Sequence, residues 1–152
     1  MFVEETLYAE IVKSMPIPCV DFVVVDQAGR ILLLKRKNES VSNQWWFPGG
    51  HVPFNELRSE AARRKLKKEC GLSQRDAFEE LATFDWFFSF GEGQGIHSIT
   101  TLFKVVVDSR GVIGLDEQSH EARWDTMQNW VQTGLDPMML EVLATLGAKA
   151  LT

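Results

Sequence analysis

Apolar residues in this chain gather in short runs separated by polar turns, and the period changes from run to run. Glu4 to Lys13 has helical spacing, with Leu7, Ile11 and Val12 predicted to face inward. Met15-Pro16-Ile17-Pro18 breaks that helix. Cys19 to Val25 and Arg30 to Lys35 are rich in β-formers, and Asp26-Gln27-Ala28-Gly29 lies between them, which predicts a hairpin. Lys37 to Gln44 is polar loop, and Trp45-Trp46-Phe47 is a short buried strand running into a glycine turn at Gly49-Gly50. Leu57 to Cys70 has good helix formers and no internal Gly or Pro, with Ser59, Ala62, Leu66 and Cys70 on one face. Gly71 is placed to end it.

Beyond that helix, Ala77 to Phe90 reads as an aromatic-rich extended segment. Gly91 to Gly95 is a candidate lid, and Ile96 to Asp108 a long strand ending in a turn at Ser109-Arg110-Gly111. Asp116 to Glu121 is an acidic loop and Ala122-Arg123-Trp124 a short strand. Asn129 to Thr133 is a short helix, and Pro137 opens a last helix through Ala148. Strands between helices predict an α/β fold, a mixed sheet sandwiched by helices (α/β/α), in one domain spanning residues 1–152.

Composition narrows the function. Hydrophobic residues at 45% and charged residues at 24% are ordinary for a globular domain. The net charge of −5 excludes a general nucleic-acid binder. Yet Arg58, Arg63, Arg64, Lys65, Lys67 and Lys68 make the central helix basic, a charge suited to phosphates. Cys19 and Cys70 lack metal or redox spacing and are predicted to be buried free thiols. No apolar run approaches the length of a membrane span, and the N-terminus lacks a secretory pattern, so a cytoplasmic location is expected.

One carboxylate stands out. Glu69 falls in the last helical turn, where its charge opposes the helix dipole. Binding a hard cation is one reason for it to be there.

Gly50, Glu56, Arg64, Leu66, Glu69, Gly71 and Leu72 resemble, at matching spacing, the motif of the Nudix hydrolases. Two glutamates of that motif are absent, with Lys65 and Lys68 in their places. Pro18 to Phe22, Leu33 to Arg36 and Trp46 to Gly50 resemble the GDP-mannose mannosyl hydrolase subfamily, which also lacks those glutamates. The resemblance implies the Nudix fold and one Mg²⁺, replaceable by Mn²⁺, held by Glu69, the Gly49 carbonyl and Gln118, with Glu117 a rival for the last. It further implies Arg36 on phosphate, and Asp21, His51 and Ser98 toward substrate. Glu56 and Arg64 would pair to brace the loop before the helix. A histidine would act as general base. Here Ser119 follows Gln118 and the histidine is His120, one place later than the subfamily pattern. His51 stands where that subfamily has arginine, and Ser98 where it has tyrosine.

The implied reaction is hydrolysis of a small-molecule nucleotide sugar, GDP-mannose-like, releasing nucleoside diphosphate and sugar. Two alternatives stay open: a pyrophosphohydrolase attacking phosphorus of a nucleoside triphosphate or related nucleotide, and a weakly catalytic nucleotide-binding module. Five tryptophans and the aromatic segment suggest a covered surface, and the subfamily is dimeric, so a homodimer is expected.

Overall fold

The computed structural model describes residues 3–36, 44–71, 79–90, 94–107 and 119–147, with backbone alone at 69, 89, 90, 94, 119 and 120. The chain runs α1 (Glu5–Ser14), β1 (Ile17–Val25), β2 (Ile31–Arg36), β3 (Trp45–Trp46), β4 (Gly49–His51), α2 (Arg58–Cys70), β5 (Glu79–Phe90), β6 (Gln94–Val106), β7 (Ser119–Asp125), α3 (Met127–Val131) and α4 (Pro137–Gly147). All seven strands join one mixed sheet whose central path is β3-β2-β1-β6-β5.

Strand β1 is the axis. It pairs in parallel with β6 along its whole length, Ile17 opposite Ser98 through Val25 opposite Val106. Its other edge is shared. Val24 and Val25 form the hairpin with β2, while Cys19, Val20 and Asp21 pair with β4. Strand β2 likewise meets β1 and β3 on one edge and β7 along the other.

Burial on both faces explains why β1 and β2 read as nearly unbroken apolar runs. Val20, Phe22, Val24, Leu32 and Leu34 face Ala61, Ala62, Leu66 and Cys70 of α2. Val23, Val25, Ile31 and Leu33 face Trp46, Trp86 and Trp130, with Met139, Val142, Leu143 and Leu146 of α4. The two cores flank the sheet, so the layers are those expected. Trp130, on α3, gives its indole N–H to the Ile31 carbonyl at 3.0 Å.

Helix α2 is held at both ends. Glu60 Oε2 accepts from the Leu57 N–H, and Gly71, at φ 66°, closes the last turn in a left-handed cap. Arg58 Nη1 reaches both Glu80 Oε1 and Thr101 Oγ1 at 2.9 Å, tying the first turn to β5 and β6.

Several expectations are corrected. The glycine pair is not a turn but the start of β4, because its bare backbone can lie flat against β1. Leu7 is 54% exposed and α1, which packs against β6, buries no residue fully. Ser119 to Glu121 belong to β7, and Gln94 and Gly95 to β6, where pairing partners were available on β2 and β5. Cys19 is only partly buried. Of the segments read above, residues 37–43, 72, 77–78, 91–93, 108–118 and 148 lie outside the described residues. No helix among the described residues is long and apolar enough to cross a membrane.

Candidate functional site

Strand β4 gathers the residues that the motif singled out. Pairing sets Asp21 opposite Gly49, Val20 opposite Gly50 and Cys19 opposite His51. The ends of β4 are fastened by Phe22 N–H to the Pro48 carbonyl at 2.8 Å and Val52 N–H to the Pro18 carbonyl at 3.0 Å. A Cβ on Gly49 would fall on the Asp21 carboxylate and the Val20 carbonyl, so only glycine lets the two strands approach here. Asp21 is 6% exposed.

Arg36 ends β2 and is 4% exposed. Its Nη2 donates to the carbonyls of Phe47, at 2.9 Å, and Gly49, at 3.5 Å. Through Nη2, Arg36 braces the backbone on which Gly49 stands. One nitrogen thus reaches two carbonyls of one segment.

Lys65 projects from α2 onto Gly50. Its Nζ lies 2.8 Å and its Cε 2.9 Å from where a Cβ on Gly50 would be. That ammonium stands where the motif has a carboxylate, and its charge is felt around it. Together with burial, which is the larger cause, it holds the His51 imidazole below its usual pKa. It adds to the lowering of the Glu56 pKa, most of which comes from Arg64. Burial pushes the Cys19 thiol up to about 12, with Asp21 adding to the rise and Lys65 opposing it. Cys19 is therefore a neutral thiol at ordinary pH, not a nucleophile.

His51 as a residue keeps an exposed side, but its ring is shielded by Tyr8: Nε2 shares a 3.0 Å hydrogen bond with the Tyr8 hydroxyl, and the rings lie 5.3 Å apart. Ser98 is 3% exposed, and its hydroxyl pairs with Thr100 Oγ1 at 3.0 Å. Thr100 stands opposite Cys19 of β1. The third histidine, His97, is committed to Asp85 at 2.9 Å and stacks on Phe87. Glu56 and Arg64 meet in a two-point ion pair, Nε to Oε1 at 2.9 Å and Nη2 to Oε2 at 3.1 Å, across the loop that joins β4 to α2.

The one-residue displacement of His120 has a counterpart in the backbone. Lys35 pairs with Glu121, but Arg36 pairs with Ser119, so β7 carries one extra residue, His120, at a bulge beside the end of β2. A bulge absorbs one residue and re-aims the neighbouring side chains. The side chains of His120 and Glu69 lie outside the description, as do Glu117 and Gln118 altogether.

Of the residues expected to hold a metal, Gly49 alone has its ligating atom among the described ones. No group of three or more His, Cys, Asp or Glu among the described residues is placed to hold one. The Gly49 carbonyl already accepts from Arg36, both Glu56 oxygens are engaged by Arg64, and an ammonium rests on Gly50.

Two participants escaped the sequence. Tyr8 is the chain's single tyrosine, and only the docking of α1 brings it to His51. Lys65 left a signal, a lysine at a motif glutamate, but spacing alone showed a lost ligand and not a placed ammonium.

Comparison with known proteins agrees with this geometry. The NUDIX domain model matches residues 15–146. The chain is 34% identical over 101 residues to the low-salt glycan biosynthesis protein Agl8 of Haloferax volcanii, covering 64% of each chain. It is 38% identical over 69 residues to an RNA pyrophosphohydrolase of Halorhodospira halophila, covering 45% of this chain and 36% of that protein. The matched stretches thus span less than two thirds of either relative's length. Among solved structures, a MutT protein from Methanosarcina mazei superposes with a TM-score of 0.77 at 18% identity, covering 90% of this chain and 96% of that one. The NUDIX domain of Shewanella oneidensis NrtR, solved with ADP ribose, gives 0.72 at 18% identity, covering 97% and 99%. At such identities the likeness concerns the fold, which is the Nudix fold. With the glycine strand, the Glu56–Arg64 brace and the domain match in agreement, the chain belongs to the NUDIX domain family.

Proposed function

We propose that this chain hydrolyses a nucleoside diphosphate sugar of the GDP-mannose kind, releasing nucleoside diphosphate and free sugar. The observation that carries the reading is Lys65, its ammonium on Gly50 where the motif has a glutamate. With Lys68 at a second motif glutamate, the helix is poor in the carboxylates that serve attack at phosphorus through several metal ions. It is well suited to hold a departing diphosphate. The relative named for glycan biosynthesis supports a sugar nucleotide as substrate, since glycans are assembled from activated sugars.

In the proposed reaction, water attacks the anomeric carbon, the bond from that carbon to the diphosphate oxygen breaks, and its electron pair leaves with the diphosphate. His120 takes the proton from water, and the bulge that absorbs its extra position supports that role. Neutral His51, with Asp21 and Ser98, belongs to the substrate side. Arg36 acts through the Gly49 backbone as a positioning residue. Members of the family generally use a divalent ion. Mg²⁺, or Mn²⁺ in its place, would rest here on Glu69, the motif carboxylate that remains, and on Gln118 or Glu117 with the Gly49 carbonyl. The roles given to His120, His51 and Arg36 do not depend on it.

A homodimer in the cytoplasm completes the proposal. Phe54, Leu57 and Phe87 are each more than half exposed, and Phe87 lies on the edge strand β5, which supports a covered surface. The relatives named RNA pyrophosphohydrolase and ADP-ribose pyrophosphatase favour the second reading, attack at phosphorus. Turnover of a panel of nucleotide sugars and nucleoside triphosphates in heavy-oxygen water separates the two. Label in free sugar with unlabelled nucleoside diphosphate is the expected result. Label in a nucleotide or in phosphate overturns it.

A further inference from the structure

We infer that Tyr8 is a positioning residue of the substrate site: from α1 it donates its hydroxyl proton to Nε2 of His51, and so leaves the ring's Nδ1–H as the donor offered to substrate. The inference rests on the proposed function in taking His51 to lie on the substrate side. Tyr8 is the chain's single tyrosine and stands 43 residues from His51, yet its hydroxyl lies 3.0 Å from Nε2. The rings are 5.3 Å apart and tilted by 34°, so Tyr8 holds the imidazole by its side as well as by one nitrogen.

Both residues take their position from one stretch of β1. His51 pairs with Cys19, and the next residue, Val52, is fastened to the Pro18 carbonyl. Helix α1 ends at Ser14 and β1 starts at Ile17, so Met15 and Pro16 alone join them. Met15 is extended, at φ −159° and ψ 157°, as a residue before proline prefers, and the Pro16 ring fixes its own φ. A joint that short and stiff sets the direction in which α1 leaves the strand. Glu4 closes the other end of the helix, accepting from the Thr6 and Leu7 N–H groups at 3.1 Å. The helix buries no residue fully, and through Tyr8 it reaches β4. The hydrogen bond has a direction. A phenol is the better donor and an imidazole nitrogen the better acceptor. Burial, the larger cause, and Cys19 lift the Tyr8 hydroxyl above its usual 10, so it keeps its proton. The bond made by one ring nitrogen decides which nitrogen carries the proton. With Nε2 accepting, the neutral ring is protonated at Nδ1, for which no described residue supplies a partner.

Two readouts test this, and the first needs no turnover. Protein labelled with ¹⁵N at histidine is studied by NMR at about pH 8, above the ordinary imidazole value of about 6.5. The His51 signals, assigned by their loss in His51→Gln, are expected to show the proton on Nδ1. Tyr8→Phe, which removes the hydroxyl and keeps the ring, should move it toward Nε2. A proton on Nε2 in the unaltered protein overturns the inference, as does an unchanged tautomer in Tyr8→Phe. The second readout is steady-state hydrolysis of GDP-mannose with Mg²⁺. Tyr8→Phe is expected to raise KM about five- to tenfold, the scale of one hydrogen bond, with kcat within about twofold. In a His51→Gln background the same change should do nothing further, because residues that act as one unit are not additive. An equal rise in both backgrounds, or none in either, overturns the inference, since Tyr8 then does not act through the imidazole. Thermal melts check each variant's fold. Should Tyr8→Phe fail to fold, the tautomer of the unaltered protein decides alone. If GDP-mannose is left intact, the proposed function fails, while the tautomer and the affinity for GDP, measured by calorimetry with Mg²⁺ in the same variants, still decide this inference.

Discussion

A methyl group added at Gly49 and one added at Gly50 meet different neighbours. At Gly49 it strikes the Asp21 carboxylate and the Val20 backbone, neither of which can retreat from a paired strand. At Gly50 it meets the end of a lysine side chain, which can swing away. Gly49→Ala should therefore cost about 1–3 kcal/mol or more in urea denaturation, as overpacking does. Gly50→Ala should stay within about 1 kcal/mol of the parent, the scale of an overpacking that a flexible neighbour relieves. Equal losses in both would refute the distinction. At the same scale, His120→Gln should lower kcat by about 10²–10⁴-fold, the range for removing a general base, with KM little changed. A near-normal rate in His120→Gln, with His51→Gln or His97→Gln inactive, would move the base elsewhere.

Between elements, the Glu56–Arg64 pair is the most telling contact, because it fastens the β4–α2 loop to the helix. Hydrogen bonds from Arg64 hold the Glu56 carboxyl below its ordinary 4.5. A depressed carboxyl stabilises the fold above that ordinary value, and the contribution fades as pH falls through the folded value. The gap in melting temperature between the parent and Arg64→Met should thus narrow on acidification below the ordinary 4.5. A constant gap down to pH 3 would mean that the pairing carries no pH-linked stability. This loop and helix were legible in advance, since the motif fixes Glu56 and Arg64 by spacing. Strand β4 was not. Three residues, two of them glycine, offer no alternation to read, and their pairing is decided by β1. The length of β7 was hidden for a related reason: Ser119, His120 and Glu121 look like loop, and only β2 makes them strand.

Across the whole molecule, the layers followed from the sequence because Val20 to Val25 and Ile31 to Leu34 are buried on both faces, and such runs have few alternatives. The docking of α1 did not follow. Its Leu7 face finds no core, and its use appears only where Tyr8 meets His51. The exposed Phe87 on the edge strand bears on assembly. Light scattering should report a dimer, and Phe87→Lys should shift it toward monomer if β5 lies in the interface. A monomer at every concentration would end that proposal.

Strand β1 draws its two edges from distant parts of the chain. The β4 edge is complete once His51 has been made, whereas the β6 edge waits for residues Ser98 to Val106. During synthesis, then, a nascent chain emerged as far as Gly71 already contains the motif from Gly49 onward. The strand beneath it still has one open side, because a parallel partner needs a long crossover. The motif is present before the scaffold that holds it, and competence to bind arrives late, as a property of the finished sheet.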